Sequence, residues 1–140
     1  MEIEYRDNGL TAEALAALRN REGWSHTEIF QAEKAMERTL FSVAAFAGDE
    51  IVGMGRMVGD GVLIWYIQDV IVVPEHRGEG IGRAIVSRLV EYAKANSLPG
   101  TGIAIGLMSA RGKEPFYEKL GFYQRPNEHE GAGMMIRTKV

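Results

Sequence analysis

The sequence predicts an α/β fold built on a mixed, mostly antiparallel twisted sheet flanked by helices. Three observations carry this reading. Two β-rich runs meet at Gly48-Asp49 as a hairpin. Other segments switch to the helical period. One long apolar run passes through a glycine-rich turn into an amphipathic stretch. That last arrangement makes a crossover helix between adjacent parallel strands, so the sheet is mixed.

The elements follow in order. Met1–Arg6 alternates as a short strand and closes at the turn signal Asp7-Asn8-Gly9. Thr11–Arg21 reads as a helix, with Thr11 able to cap it and arginines near its end. Ser25-His26-Thr27-Glu28 has capping-box spacing, which predicts a second helix with Ile29, Ala32 and Met36 on one face. Phe41–Ala47 and Glu50–Val58 form the hairpin. The turn Gly59-Asp60-Gly61 leads to a long strand, Val62–Val73, whose nearly continuous apolar content predicts burial on both faces. From Ile81 to Ala95 the period is helical. Ile81, Ile85 and Leu89 face inward, and Arg83, Ser87 and Glu91 face outward. Asn96–Gly100 ends that helix, and Gly102–Leu107 reads as a buried strand weakened by glycine. Lys113–Leu120 is a short helix stopped by Gly121. Phe122–Arg125 and Met134–Lys139 read as closing strands around the polar loop Pro126–Gly133.

Bulk properties narrow the function. A chain of 140 residues without repeats or a linker suits one domain, with no internal boundary. The net charge of −3 and the lack of like-charge blocks argue against a nucleic-acid partner. No cysteine is available for disulfides, thiolate metal sites or a nucleophile. No basic leader and no apolar run near the ~20 residues of a membrane span are visible, so a cytoplasmic protein without a membrane partner is expected.

The chemistry concentrates in Val70-Ile-Val-Val-Pro-Glu-His-Arg-Gly-Glu-Gly-Ile-Gly-Arg83. A strand that turns directly into a helix presents unpaired N–H groups to an anion. Gly78, Gly80 and Gly82 let an anion approach, and Arg77 and Arg83 flank the turn. Glycines here also serve a tight turn with no ligand. The spacing departs from both the dinucleotide G-x-G-x-x-G and the P-loop. Arg77-x-x-Gly80-x-Gly82 instead resembles the pyrophosphate-binding Q/R-x-x-G-x-G/A motif of the GNAT superfamily of N-acetyltransferases. Further along, Pro115-Phe-Tyr-Glu-Lys-Leu-Gly-Phe122 is similar to that family's FYxxxGF signature, and the element order agrees.

The resemblance implies the GNAT fold over a single N-acetyltransferase domain, residues 1–140, using acetyl-CoA as co-substrate. It implies a pyrophosphate on the N–H groups from Gly78 through Glu79, Gly80, Ile81 and Gly82 to Arg83, with Arg77 beside them. The pantetheine arm would pair like an added strand with Val70, Ile71 and Val72. It also implies that Tyr117 is the general acid for the leaving thiolate. The alternative for Tyr117 is an ordinary core aromatic beside Phe116 and Phe122. Asp69, an unusual charge inside an apolar run, is a candidate general base; equally it is a structural carboxylate paired with an arginine such as Arg56. Many family members carry an asparagine where this chain has Ala110, seven residues before Tyr117. Ser109 and Lys113 are candidates to replace its contact with pantetheine.

The acceptor expected is the primary amine of a small molecule, with Trp24, Trp65 and Tyr66 as candidate pocket walls. Glu28, Glu33 and Asp69 would favour a cation. A protein amine is a second acceptor class, a CoA-holding module without transfer is a second function, and a homodimer is a family-level expectation. His129 has no ligand-spaced partner, so no metal is expected.

Overall fold

The hairpin and the strand after it form the middle of the sheet. The structure is a computed structural model describing residues 2–140. Strands β1 (Ile3–Asp7), β2 (Phe41–Ala47), β3 (Glu50–Gly59), β4 (Ile64–Val72) and β5 (Ala104–Gly106) lie side by side in that order. The first three pairings are antiparallel, and β4 with β5 is parallel. The helices are α1 (Ala12–Arg21), α2 (Ile29–Glu37), α3 (Ile81–Asn96) and α4 (Glu114–Glu118). Two compact units make up the chain, Met1–Leu107 and Met108–Val140. The whole sheet and α1 to α3 belong to the first.

Thr11 caps α1 as expected, its Oγ1 accepting the Ala14 N–H at 3.2 Å. The capping box shifts. Asn20 holds Thr27 in both directions, accepting its N–H at 2.7 Å and donating to its carbonyl at 3.0 Å. This pins residues 25–28 outside the helix, so Glu28 rather than Ser25 is the N-cap, and its N–H donates to Gln31 Oε1. The long strand starts at Ile64 rather than Val62. Asp60 Oδ1 accepts the N–H groups of Val62, Leu63 and Ile64, which keeps those residues in the turn. The same N–H groups, that of Ile64 foremost, hold the Asp60 carboxyl below its ordinary range.

α3 packs its inner face on the sheet, burying Ile81, Ile85, Val86, Leu89 and Ala93 while Arg83, Ser87 and Glu91 stay exposed. Each large aliphatic side chain buried in this way contributes about 1.5–3 kcal/mol. The approach is close because Gly55 lies beneath the helix. A Cβ there would stand 2.7 Å from Ile85 Cγ2 and 3.1 Å from Leu89 Cδ1. Phe41 stacks on Tyr92 of α3, and Trp65 meets the same ring edge-on.

Three expectations fail. β4 has helices over both faces, but only alternate residues are fully buried. β5 pairs through three residues at the sheet edge and is partly exposed, so the buried strand Gly102–Leu107 does not form. Neither Phe122–Arg125 nor Met134–Lys139 is a strand. The polar groups between them bond locally instead. Asn127 Oδ1 accepts the N–H groups of His129 and Glu130, and Arg125 Nε donates to the Gly131 carbonyl. Met134 and Ile136 are exposed, so no buried face fixes a register for the last segment.

Candidate active site

The candidate donor end lies where β4 leaves the sheet. Its partner β5 accompanies it only through Ile64, Trp65 and Tyr66, whereas β3 stays in register as far as Val72. From Ile67 onward the edge facing β5 therefore has no ladder. Val73 N–H donates to Val52 O at 2.9 Å, and ladder bonds alternate along a strand. Ile71, in register with Met54, thus turns its main chain toward β3, while Val72 turns away from it. Of the expected Val70–Val72 contact, the Ile71 main chain is already spent within the sheet.

A 3-10 turn, Pro74–His76, carries the chain from β4 into the glycine loop. Gly80 is the N-cap of α3 at φ 82°, a left-handed conformation that costs a side-chain-bearing residue about 1–2 kcal/mol. The first intrahelical bond at this end is Ala84 N–H to the Gly80 carbonyl. The N–H groups of Ile81, Gly82 and Arg83 therefore point out of the helix with its positive end. A Cβ at Gly78 or Gly80 would meet nothing within 4 Å, so this main chain is open to approach. Glu79 sits between them, 3.2 Å from His76 Nδ1, and Arg83 is exposed. Arg77 folds back instead of reaching into the loop. Its Nε donates to the Val72 carbonyl at 3.0 Å, and its guanidinium pairs with Glu22 of α1 at 2.7 Å. Arg21 pairs with Glu75 beside it.

Asp69 is held by partners of its own. Met54 pairs with Ile71 and Arg56 with Gln68, so Asp69 and Val70 together face the single residue Gly55. This bulge passes through Asp69 at φ 58°. The extra residue reverses which face each side chain takes. Trp65 points to α3, donating from Nε1 to Ser97 Oγ, yet Ile71 and Val73 line a hollow with Leu18 of α1. Asp69 lands on the α1 face. There its Oδ1 accepts from Arg19 and its Oδ2 from Arg56 Nε at 2.8 Å, and the carboxylate is 0% exposed. Arg19 also donates from Nε to Thr27 Oγ1, and Arg56 from Nη1 to Thr39 Oγ1. With both oxygens engaged and no solvent contact, Asp69 is not placed to take a proton from an amine. The structural pairing with Arg56 is the alternative the geometry favours.

Tyr117 lies in the second unit, on α4. Its ring packs edge-on against Phe116 at 4.9 Å and Phe122 at 5.9 Å between centroids. Gly121 N–H to the Glu118 carbonyl and Phe122 N–H to the Tyr117 carbonyl close the helix. Burial pushes the Tyr117 phenol above its ordinary pKa, so it keeps its proton throughout the neutral range. Among the described residues no group hydrogen-bonds its hydroxyl. Ala110 accepts the Lys113 N–H through its carbonyl, and Ser109 Oγ donates to that same carbonyl.

The structure thus places the unladdered edge of β4, the open glycines of the loop and the N-terminus of α3 in succession along the chain, and it holds Asp69 in an ion-pair network. Trp65 is a core residue, whereas Trp24 is 42% exposed with the Arg19 guanidinium 5.6 Å from its ring centroid. Arg19, Glu22, Thr27 and Thr39 were not singled out from sequence. Arg19 and Glu22 meet Asp69 and Arg77 at 50 and 55 residues' separation, and no spacing signal marks such contacts.

A family model described as an acetyltransferase (GNAT) domain matches residues 4–137. Serotonin N-acetyltransferase 2, chloroplastic, from rice is 31% identical over 134 residues, covering 92% of this chain and 64% of that protein. Glucosamine 6-phosphate N-acetyltransferase from Trypanosoma brucei brucei is 30% identical over 115 residues, covering 82% of this chain and 70% of that one. The chain thus spans about two thirds of the length of these relatives. A crystal structure of a Staphylococcus aureus protein, described as a probable acetyltransferase, superposes with a TM-score of 0.84 at 29% identity, covering 98% of this chain and 100% of the other.

Proposed function

Because the chain belongs to the GNAT acetyltransferase family, we propose that it moves an acetyl group from acetyl-CoA to a primary amine of a small molecule, directly within a ternary complex. One observation carries this reading most: a strand edge without a ladder partner leads through a 3-10 turn and a glycine loop to a helix N-terminus with outward N–H groups. A long ligand with an anionic middle and a peptide-like arm fits that strip. Its pyrophosphate would rest on the N–H groups of Ile81, Gly82 and Arg83 and on the loop Gly78-Glu79-Gly80. Its arm would lie along Val70 and Val72. Arg77 would exchange the Val72 carbonyl for the phosphate, freeing that carbonyl for the arm. The whole span matched by the family model would act as one N-acetyltransferase domain.

The chemistry asks for a neutral amine, a stabilised oxyanion and a protonated thiolate. An alkylamine of pKa ~10.4 is neutral in only about one molecule in 10³ at pH 7, an access cost of roughly 4–5 kcal/mol. With Asp69 committed elsewhere, solvent is left to take that proton. The amine nitrogen then forms its bond to the thioester carbon. The tetrahedral intermediate collapses with cleavage of the C–S bond as Tyr117 donates its proton to the departing sulfur, and the second proton released by the amine nitrogen returns through solvent to the Tyr117 phenolate. Support for a small-molecule acceptor comes from the two relatives, whose names share only a primary amine on a small molecule.

The test is thiol release from acetyl-CoA with a panel of amines. Release that depends on one or more small amines is the expected result. Tight acetyl-CoA binding with no release for any amine would identify a CoA-holding module. Release with peptide amines alone would move the acceptor class to proteins.

A further inference from the structure

Taking that acetyl-transfer reading as its basis, we infer that the acceptor carries an anionic group, a phosphate or a carboxylate, near its amine, and that Arg19 receives it. The charge balance around the β4 bulge motivates this. Two guanidinium groups share the one carboxylate of Asp69. No other carboxylate pairs with Arg19 or Arg56 among the described residues, Glu22 pairing with Arg77 and Glu75 with Arg21. The cluster therefore carries one surplus positive charge. Arg19 and Arg56 are only 23% and 13% exposed, so solvent screens that charge poorly.

Donor capacity points the same way. Arg19 uses Nε for Thr27 and Nη1 for Asp69, which leaves the Nη2 N–H groups without a partner among the described residues. Among the described residues no buried side-chain nitrogen or oxygen lacks a partner, so those N–H groups reach the surface. Asp69 and Thr27 hold the guanidinium in place, so a second anion meets a fork that is already oriented. Access is set by the sheet. α3 fills one face with Ile81, Ile85 and Leu89, so the end of an arm lying along β4 is reached from the other face. Arg19 and the half-exposed ring of Trp24 stand on that side. Of the acidic residues expected to favour a cationic acceptor, Asp69 is buried and paired with two arginines.

Matched amine pairs test it. Glucosamine 6-phosphate against glucosamine, and tryptophan against tryptamine, vary the anion while keeping an amine. We expect kcat/KM to favour the anionic member of at least one pair by about tenfold, the value of one charge-assisted hydrogen bond. The pair that responds tells phosphate from carboxylate. Arg19→Gln should bring the ratio to near one, and Arg19→Lys should keep part of it. Calorimetric binding of the same four amines to the CoA complex is read in parallel and needs no turnover. Anion-selective binding lost in Arg19→Gln, with no thiol release, would sustain this inference and sink the transfer reading. Turnover without anion preference in either pair would do the opposite. Should Arg19→Gln not fold, the wild-type pairs alone decide, because equal or better handling of the members without the anionic group overturns the inference.

Discussion

Asp69→Asn separates the charge of the buried carboxylate from its shape. Asparagine is nearly isosteric and tolerates the left-handed φ of 58° better than most residues, so the bulge itself is not strained by the change. What disappears is the counter-charge for Arg19 and Arg56. Removing one partner from a fully buried ion pair costs about 3–5 kcal/mol. Here the arginines keep 23% and 13% exposure, so water relieves part of the penalty, and the amide oxygen still accepts one hydrogen bond. The loss expected is about 2–3 kcal/mol. A chain of 140 residues has an unfolding entropy near ~0.3 kcal/mol/K, so Tm should fall by roughly 7–10 °C. Thermal and urea unfolding should agree on the change. The double variant Arg19→Gln/Asp69→Asn should lose less than the sum of the two single changes, since the partners share one network. A Tm within about 2 °C of wild type would mean that the ion pairs do not hold the bulge, and it would remove the basis for treating Asp69 as structural.

Other perturbations probe the remaining parts. Tyr117→Phe should lower turnover by about 10² or more while acetyl-CoA affinity changes little; equal turnover would take Tyr117 out of the mechanism. Burial raises the Tyr117 pKa above its value in the unfolded chain, so the native state holds that proton more tightly. The stabilisation is fully present below pH ~10 and is lost as pH rises through the folded value. Urea unfolding above pH ~10 should therefore show a shallower loss of stability in Tyr117→Phe than in wild type. Gly80→Ala meets no steric obstacle, so its cost is conformational: about 1 kcal/mol of stability, together with weaker acetyl-CoA binding by calorimetry. Gly55→Ala presses a methyl into Ile85 and Leu89 and should cost about 1–3 kcal/mol in urea unfolding.

Local physics made much of this protein legible in its sequence. The period-2 runs, the Gly48-Asp49 turn and the helical period after Ile81 are each set by neighbours in the chain, and the structure has the hairpin, the strand and the helix where those signals lie. The strand–glycine–helix junction was readable for the same reason, since outward N–H groups follow from where a helix begins. Long-range balance decided the rest. An arginine on α1 and another on β3 converge on Asp69, which turns a candidate base into a structural anion. One extra residue in β4 reverses the faces of the strand beyond it, and no pattern in an apolar run announces that. Phe122–Arg125 and Met134–Lys139 had strand-like composition, but a strand needs a partner edge and a buried face. Sequence alone therefore determined the family and the strand–glycine–helix junction, because both are written in contiguous residues. Tertiary structure alone decided which charges are spent and which remain, because ion pairing here joins positions 13 and 50 residues apart.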